Sequence, residues 1–538
     1  MVRPDASPAA VRRVGPLELP VPLPVVAVFG LAVAALIALV IFDLSPPLAF
    51  NDDWMYAWSV QQLVAGHGLR IFPESTALAL PQVLWGAAFS LGHPDPRLLR
   101  LSVVPVVALT AWISFVLARR LGADRFWAAV AGATLLTMPL FMGNATTFMT
   151  DNVFTGVVMA VALTSLTWAG DGRRRWPCVA LLVLAALERQ VGLALIPAVT
   201  LGVVIGRRHA WVRTDTAALF ASWLIPIATV AAAGRLLVRQ PLYAPTDLFQ
   251  VHLDHALFPL AGMLGLGLIP FGAALAFRPR TPGRESAWSV SCAALGVVGA
   301  IGCLVDLARF GMIFPGNVFS PLGFTAILPG SKPPIFPGPV FQAVEIAAII
   351  TFAMLFILRR RWWTPTVMPR DGVLLLLVSA SQFLPLLAVQ VFIYDRYFLP
   401  VVAPLIPLVA AVGTGALRQP LARSWAALAL IGGMALYVVG EQDYLAWQAA
   451  RDQAARLAYQ SVPRDQVQAG FEANAVYVEL PRYERTGRAD LFAILGPSQP
   501  AITLRFGSQP DPRLGLRSDP RPAVPYVSLA PGRIVLDR

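Results

Sequence analysis

Two adjacent carboxylates, Asp52 and Asp53, stand in FNDDWMYAWSVQQLVAG, and a carboxylate at a wet interface can take the proton of a hydroxyl as a general base. Asn51 or Asp52 is also a good N-cap for the amphipathic segment DWMYAWSVQQLVAG, which ends at Gly66-His67-Gly68 and carries Trp54, Tyr56 and Trp58 as interfacial residues. A cap uses one side-chain oxygen, so at least one of the two carboxylates is left over; a pair that only caps and is solvated is the competing reading. Further ionisable residues stand at the edges of apolar runs: Asp151 in FMTDN, Glu188 and Arg189 in LERQ, Asp395 and Arg396 in IYDRYFLP. Guanidinium groups are suited to holding phosphate. Glu74 lies in the same loop as the aspartates, and Lys332, the only lysine, lies in a stretch broken by proline and glycine. His252 and His255 in HLDH have only Asp254 nearby, too few ligands to support a metal site. Asn144-Ala145-Thr146 fits a glycosylation acceptor. Cys178, Cys292 and Cys303 sit in apolar runs without metal or disulfide spacing and read as buried thiols.

The elements that must position these residues are membrane helices. Of 538 residues, 57% are apolar and 13% charged, about half the charge needed to cover a water-facing surface. The net charge of +12 therefore does not make a nucleic-acid binder, which needs a solvated basic patch. Apolar runs fall at 25–42, 98–118, 127–142, 148–169, 176–187, 190–206, 215–235, 256–277, 287–305, 338–358, 372–393, 397–417 and 424–440, about thirteen spans in an all-α polytopic fold. A cleaved signal peptide is the alternative for 25–42, but no clear cleavage site follows. Arg3, Arg12 and Arg13 put the N-terminal tail, 1–24, in the cytoplasm, and Arg119/Arg120/Arg125, Arg173/Arg174/Arg175, Arg207/Arg208/Arg213, Arg278/Arg280/Arg284, Arg359/Arg360/Arg361 and Arg418/Arg423 then fall on that same side. The excess positive charge thus orients the chain in a cell membrane. The domain 25–440 carries an outer loop at 43–97 and a re-entrant or mobile loop at 306–337. Residues 441–538 change composition abruptly and are expected to form a small extracytoplasmic α+β domain, opening with the helical YLAWQAARDQAARLAYQ and continuing in strand-like AVYVEL and AITLRF.

On this topology the ionisable residues set apart above all face outward. The first limb of the hairpin 176–206 has about twelve residues, roughly 18 Å against a hydrocarbon core of about 30 Å, so Glu188 and Arg189 are expected below the outer surface in a cavity open to the outside. A self-satisfied Glu188–Arg189 ion pair is the alternative to substrate binding.

In order and spacing, FNDDWMYAWSVQQLVAGHGLRI, LGHPDPRLLRLSVVPVVALTAWISFVLARRLG, FMTDNVFTG, LERQVGLALIP and IYDRYFLPVVAPL together resemble the GT-C superfamily of membrane glycosyltransferases, in the branch of protein O-mannosyltransferases and the aminoarabinose transferase of lipid A. The resemblance implies an enzyme that moves a sugar from a polyprenyl-phosphate carrier to a hydroxyl on a glycan, lipid or protein at the outer face. It maps the base of the first external loop onto Asp52 or Asp53, the acidic residue before the fourth span onto Asp151, and the basic residues that hold the carrier phosphate onto Arg189 and Arg396. The family's loop more often reads Asp-Glu, and its later part often carries a lysine or tyrosine with a Pro-Pro pair, where STALALPQVLWG here has Pro81 alone. The branch is usually described as metal-independent, so no cofactor is expected. The competing functions are a transporter or flippase of lipid-linked sugars, which calls for charges near the midplane and two related halves, and a non-catalytic scaffold presenting the tail. The proline-rich, almost lysine-free composition points to a GC-rich bacterial genome and so to a cell-envelope glycan.

Overall fold

A backbone in hydrocarbon must satisfy its own N–H and C=O groups, which is why long apolar runs become helices. The computed structural model of the chain describes residues 51–73, 75, 77–237, 253–276, 287–314, 318–322, 332, 334–358, 370–388, 394–413, 420–489, 497, 500–506, 523–526 and 532–537. The expected tail 1–24, the expected span 25–42, Glu74 and residues 315–317, 323–331 and 333 of the expected loop 306–337 lie outside the described residues.

Seven helices among the described residues are long and apolar enough to cross a membrane: Pro96–Arg120, Thr150–Asp171, Gln190–Arg207, Arg213–Leu237, Val290–Phe310, Gly338–Ile357 and Pro420–Ser461. Ala256–Phe271 and Asp371–Leu387 are shorter. Two expected spans are broken. The run 127–142 forms a helix Arg125–Thr137 and a short turn Pro139–Gly143, because Met138 is extended at the bond before Pro139. The run 397–417 starts with a 3-10 turn, Asp395–Phe398, and continues as Leu399–Val402 and Leu405–Gly413. A count of thirteen thus includes broken pieces and residues outside those described. The limb before Arg189, Arg175–Glu188, has 14 residues, or about 21 Å.

The bundle is held at close range by small residues. A Cβ on Gly265, in the helix Leu253–Leu268, would run into the carbonyl oxygen of Ala348 in Gly338–Ala353. A Cβ on Gly433 would run into the carbonyl oxygen of Thr137. Without a hydrophobic force between helices in lipid, such backbone proximity is what lets dispersion hold them.

The tail begins inside a helix. Pro420–Ser461 runs without a break for 42 residues, so the composition change at Glu441 falls inside one helix. AITLRF is a strand as expected, Ile502–Phe506. AVYVEL is not; it lies within the helical run from Phe471 to Thr486. The residues that pack there, Phe471, Ala475, Val476, Leu480 and Tyr483, recur at helical spacing, which the local Val-Tyr-Val alternation hides. We label the strands β1 (Val467–Gln468), β2 (Ile502–Phe506), β3 (Ala523–Tyr526) and β4 (Gly532–Asp537). Their order is β1-β2-β4-β3, with β1 parallel to β2 and the other pairs antiparallel, Phe506 opposite Ile534. The sheet seats on the long helix through Trp447, whose ring stacks 5.9 Å from that of Phe506.

Gly265→Ala is expected to push its two helices apart at a cost of about 1–3 kcal/mol and to lower the melting temperature of the detergent-solubilised protein. Gly234→Ala, whose Cβ meets nothing within 4 Å, leaves it unchanged or raises it. Equal melting temperatures for the two variants would contradict the close packing.

Candidate active site

Four of the residues singled out by chemistry converge. Arg396, in the 3-10 turn Asp395–Phe398, sets Nη2 3.7 Å from Asp52 Oδ2 and Nε 3.5 Å from Asp151 Oδ2. Asp151, in the first turn of Thr150–Asp171, also accepts a hydrogen bond from Arg189 Nη1 at 2.6 Å. The order is therefore Asp52, Arg396, Asp151, Arg189, with charges alternating. Aromatic rings flank both guanidiniums: Tyr394 at 4.9 Å and Tyr397 at 5.4 Å from Arg396, Tyr397 at 5.0 Å and Phe154 at 6.0 Å from Arg189. The middle of this row is closed and its ends are open. The side chains of Arg396 and Asp151 are 2% and 1% exposed, those of Asp52 and Arg189 22% and 16%.

Each position follows from local backbone. Arg189 is extended, at φ −139° and ψ 132°, between the helix ending at Glu188 and a 3-10 turn, Gln190–Ala194. Neighbouring side chains at such a break point opposite ways, and Glu188 accordingly faces the start of the helix Leu80–Phe89, where it accepts from the N–H of Gln82 at 3.1 Å. Its carbonyl accepts from the N–H of Ala79 at 3.0 Å. A carboxylate there meets the positive end of that helix. Glu188 and Arg189 are thus not the self-satisfied pair, and Glu188 stands outside the cluster.

Asp52 and Asp53 separate in the same manner. The helix Asp53–Val64 is capped at Asp52 without any side-chain cap bond, and Asn51 before it is left-handed at φ 48°. The expected capping role is therefore absent, and the Asp52 carboxylate turns to Arg396. Asn51, with its amide oxygen toward the guanidinium, accepts from Arg396 Nη1 at 2.6 Å and Nη2 at 2.7 Å and donates to Asp52 Oδ1 at 3.1 Å. Asp53 is buried; it lies 3.4 Å from Arg100 Nε and accepts from the N–H of Phe148 at 3.4 Å. Burial holds the Asp52 carboxyl above the usual carboxylate range; Arg396 opposes the rise and Asp151 adds to it.

The remaining expected residues lie apart. Asp395 accepts from the N–H groups of Val318 at 2.8 Å and Phe319 at 2.9 Å, so it anchors a loop while its neighbour Arg396 enters the cluster. Lys332 pairs with Asp443 and donates to the carbonyl of Leu322 at 2.6 Å. Asn144 is fully buried and donates to Leu140 O at 2.8 Å, which corrects the glycosylation reading. Trp54, Tyr56 and Trp58 are buried under protein instead of lying at the lipid interface, Trp54 and Trp58 against the helical run from Phe471. The three cysteines are buried. Among the described residues no three His, Cys, Asp or Glu side chains gather as a metal site. Sequence reasoning missed Arg100, whose charge inside an apolar run was a readable signal. It also missed Tyr394 and Tyr397, and the tail residue Glu472, which hydrogen-bonds the Asn51 N–H at 3.3 Å.

No protein-family model and no curated protein matches the chain. Its chain path is similar to that of two solved structures of ArnT from Cupriavidus metallidurans. One, bound to undecaprenyl phosphate, has 17% identity and a TM-score of 0.43 over 95% of this chain and 98% of that one. The other, in the apo state, has 16% identity and a TM-score of 0.44 over 95% and 97%.

Asp53→Asn takes one carboxylate from the buried Arg100 and the acceptor from the Phe148 N–H, and is expected to destabilise the protein, read as a lower melting temperature and folded yield. Asp52→Asn, at the open end of the row, is expected to melt close to the wild type. Equal stability of the two variants would contradict the division of roles.

Proposed function

We propose that the chain is an integral membrane glycosyltransferase that moves a sugar from a polyprenyl-phosphate-linked donor to a hydroxyl acceptor at the outer face of the cell membrane, with its N-terminus in the cytoplasm and its tail outside. The observation that carries this reading is the pairing, at one end of the bundle, of a partly open carboxylate, Asp52, with two adjacent guanidiniums, Arg396 and Arg189. Transfer of a glycosyl group from a phosphate needs those two capabilities together: a base for the incoming hydroxyl and cations for the departing phosphate. The motifs that resemble the GT-C superfamily support the same reading. The location of the cluster at helix ends favours it over a transport path, for which charges near the midplane are expected.

In this mechanism Asp52 is the base and Asp53 is structural. The acceptor oxygen attacks the anomeric carbon as Asp52 takes its proton; the anomeric C–O bond breaks and its electron pair leaves with the polyprenyl phosphate. A single displacement of this kind inverts the sugar. Arg189, the more open guanidinium, meets the phosphate, while Arg396 adds charge behind it and holds Asp52. Charge stays balanced through the step. Asp52 becomes neutral as the phosphate gains a negative charge, so the guanidiniums are released toward the group that needs them. No step requires a metal ion. The acceptor is a cell-envelope glycan, lipid or protein hydroxyl.

Asp52→Asn is expected to lower the rate of sugar transfer from a lipid-linked donor by about 10²- to 10⁴-fold; full activity would sink the assignment. Because Asp52 must be ionised to act and is held above the ordinary value of about 3.9, the rate falls with acidification through a limb lying above that value. A limb at the ordinary value, or none, would contradict the role.

A further inference from the structure

Residue Asn51 carries Asp52 into place from a left-handed backbone, a conformation that asparagine tolerates but does not itself select. What holds it comes from the other end of the chain. Its N–H donates to Glu472 Oε1 at 3.3 Å, and Glu472 Oε2 accepts from Arg451 Nη1 at 2.7 Å. Arg451 is fully buried on the long helix Pro420–Ser461, with its guanidinium 4.5 Å from the ring centre of Trp447 and Nη2 bonded to Gln448 Oε1 at 2.6 Å. Glu472 itself sits in the first turn of Phe471–Asn474 and is 4% exposed.

A second set of contacts joins the same two regions. Trp58 Nε1 donates to Glu484 Oε1 at 3.3 Å, and Tyr483 packs 5.5 Å from the ring of Trp58 and 4.7 Å from that of Phe72. The tail thus grips the helix Asp53–Val64 along its side and the residue before Asp52 by its backbone. A buried charge pair is an expensive way to tether two segments. An apolar contact would join them as well, but it would not orient one N–H group or place a negative charge near Asp52.

We propose that Glu472, held by Arg451, is a positioning residue for the transfer reaction: the C-terminal segment sets the loop that carries the base, so that the tail is a part of the catalytic apparatus. This rests on the reading of Asp52 as the base. The chain of contacts runs from Arg451 through Glu472 to the Asn51 backbone, and from the Asn51 side chain to both Asp52 and Arg396. Loss of Glu472 frees the backbone at Asn51 and with it the distance between base and acceptor.

The charged and titratable groups that face Asp52 are Arg396, Asp151, Arg189, Glu472 and Tyr56. Of these, Arg396 and Arg189 lower its pKa, whereas Asp151 and Glu472 raise it. Removing the charge of Glu472 therefore moves the acidic limb of the pH–rate profile to lower pH, a change that a purely structural tether would not produce.

The test uses the full chain in detergent or nanodiscs with a lipid-linked sugar donor. Glu472→Ala is expected to lower kcat by about 10²-fold, the effect of misplacing a reacting group by about 1 Å, with KM for the donor little changed. Glu472→Gln keeps an acceptor for the Asn51 N–H, so it loses less kcat, and its acidic limb shifts to lower pH. Should Glu472→Ala fail to fold, the Glu472→Gln profile decides. Wild-type kcat and an unshifted limb in Glu472→Gln, with Asp52→Asn inactive, would overturn the positioning role alone. Full activity of Asp52→Asn would instead overturn the base assignment on which it rests.

Discussion

Asp151 between two guanidiniums is the interaction on which the rest of this end of the molecule depends. Arg396 and Arg189 are mostly enclosed, and an enclosed guanidinium without a partner is among the costliest groups a membrane protein can carry. Asp151 meets both, at 3.5 and 2.6 Å, and Asp52 meets the far side of Arg396. The row is neutral as a whole. It can therefore exist in a low-dielectric setting, and a small redistribution of charge along it, such as protonation at Asp52, is felt at Arg189.

Bringing four charges into one row needs four separate departures from regular helix. Asn51 is left-handed before Asp53–Val64. Met149 is extended before Thr150–Asp171, Arg189 after Arg175–Glu188, and Tyr394 before Asp395–Phe398. Each break lies where an apolar segment stops or starts, which places all four side chains at one level of the bundle. The spare carboxylates at the same breaks hold the backbone in place: Glu188 on the helix Leu80–Phe89, Asp395 on the loop at Val318, Asp53 on Arg100 and on the N–H of Phe148.

This division explains what was legible in the sequence. Charges at the edges of apolar runs are too costly to be idle, so Asp52, Asp53, Asp151, Glu188, Arg189, Asp395 and Arg396 stand out by their positions in the sequence. Which member of each adjacent pair enters the cluster did not, because Asp52/Asp53, Glu188/Arg189 and Asp395/Arg396 each straddle a break whose dihedral angles decide which way a side chain points. The helical membrane character was readable from the apolar runs, whereas the interruption before Pro139 follows from a single proline that an apolar count does not register. Trp54 and Trp58 look interfacial in a list of residues and are covered only because the tail folds back over them. For the same reason nothing local marks the role of Glu472, whose partner Asn51 is 421 residues away.

The central claim is that the row of Asp52, Arg396, Asp151 and Arg189 is where a lipid-linked phosphate and its sugar meet the base. A structure of this chain with a bound polyprenyl phosphate tests it most directly. The account predicts the phosphate within hydrogen-bond distance of Arg189, beside Arg396, with Asp52 facing the side from which an acceptor hydroxyl would approach. Phosphate density at the opposite end of the bundle, among Arg175, Arg207 and their neighbours, with the Asp52 row unchanged, would contradict it.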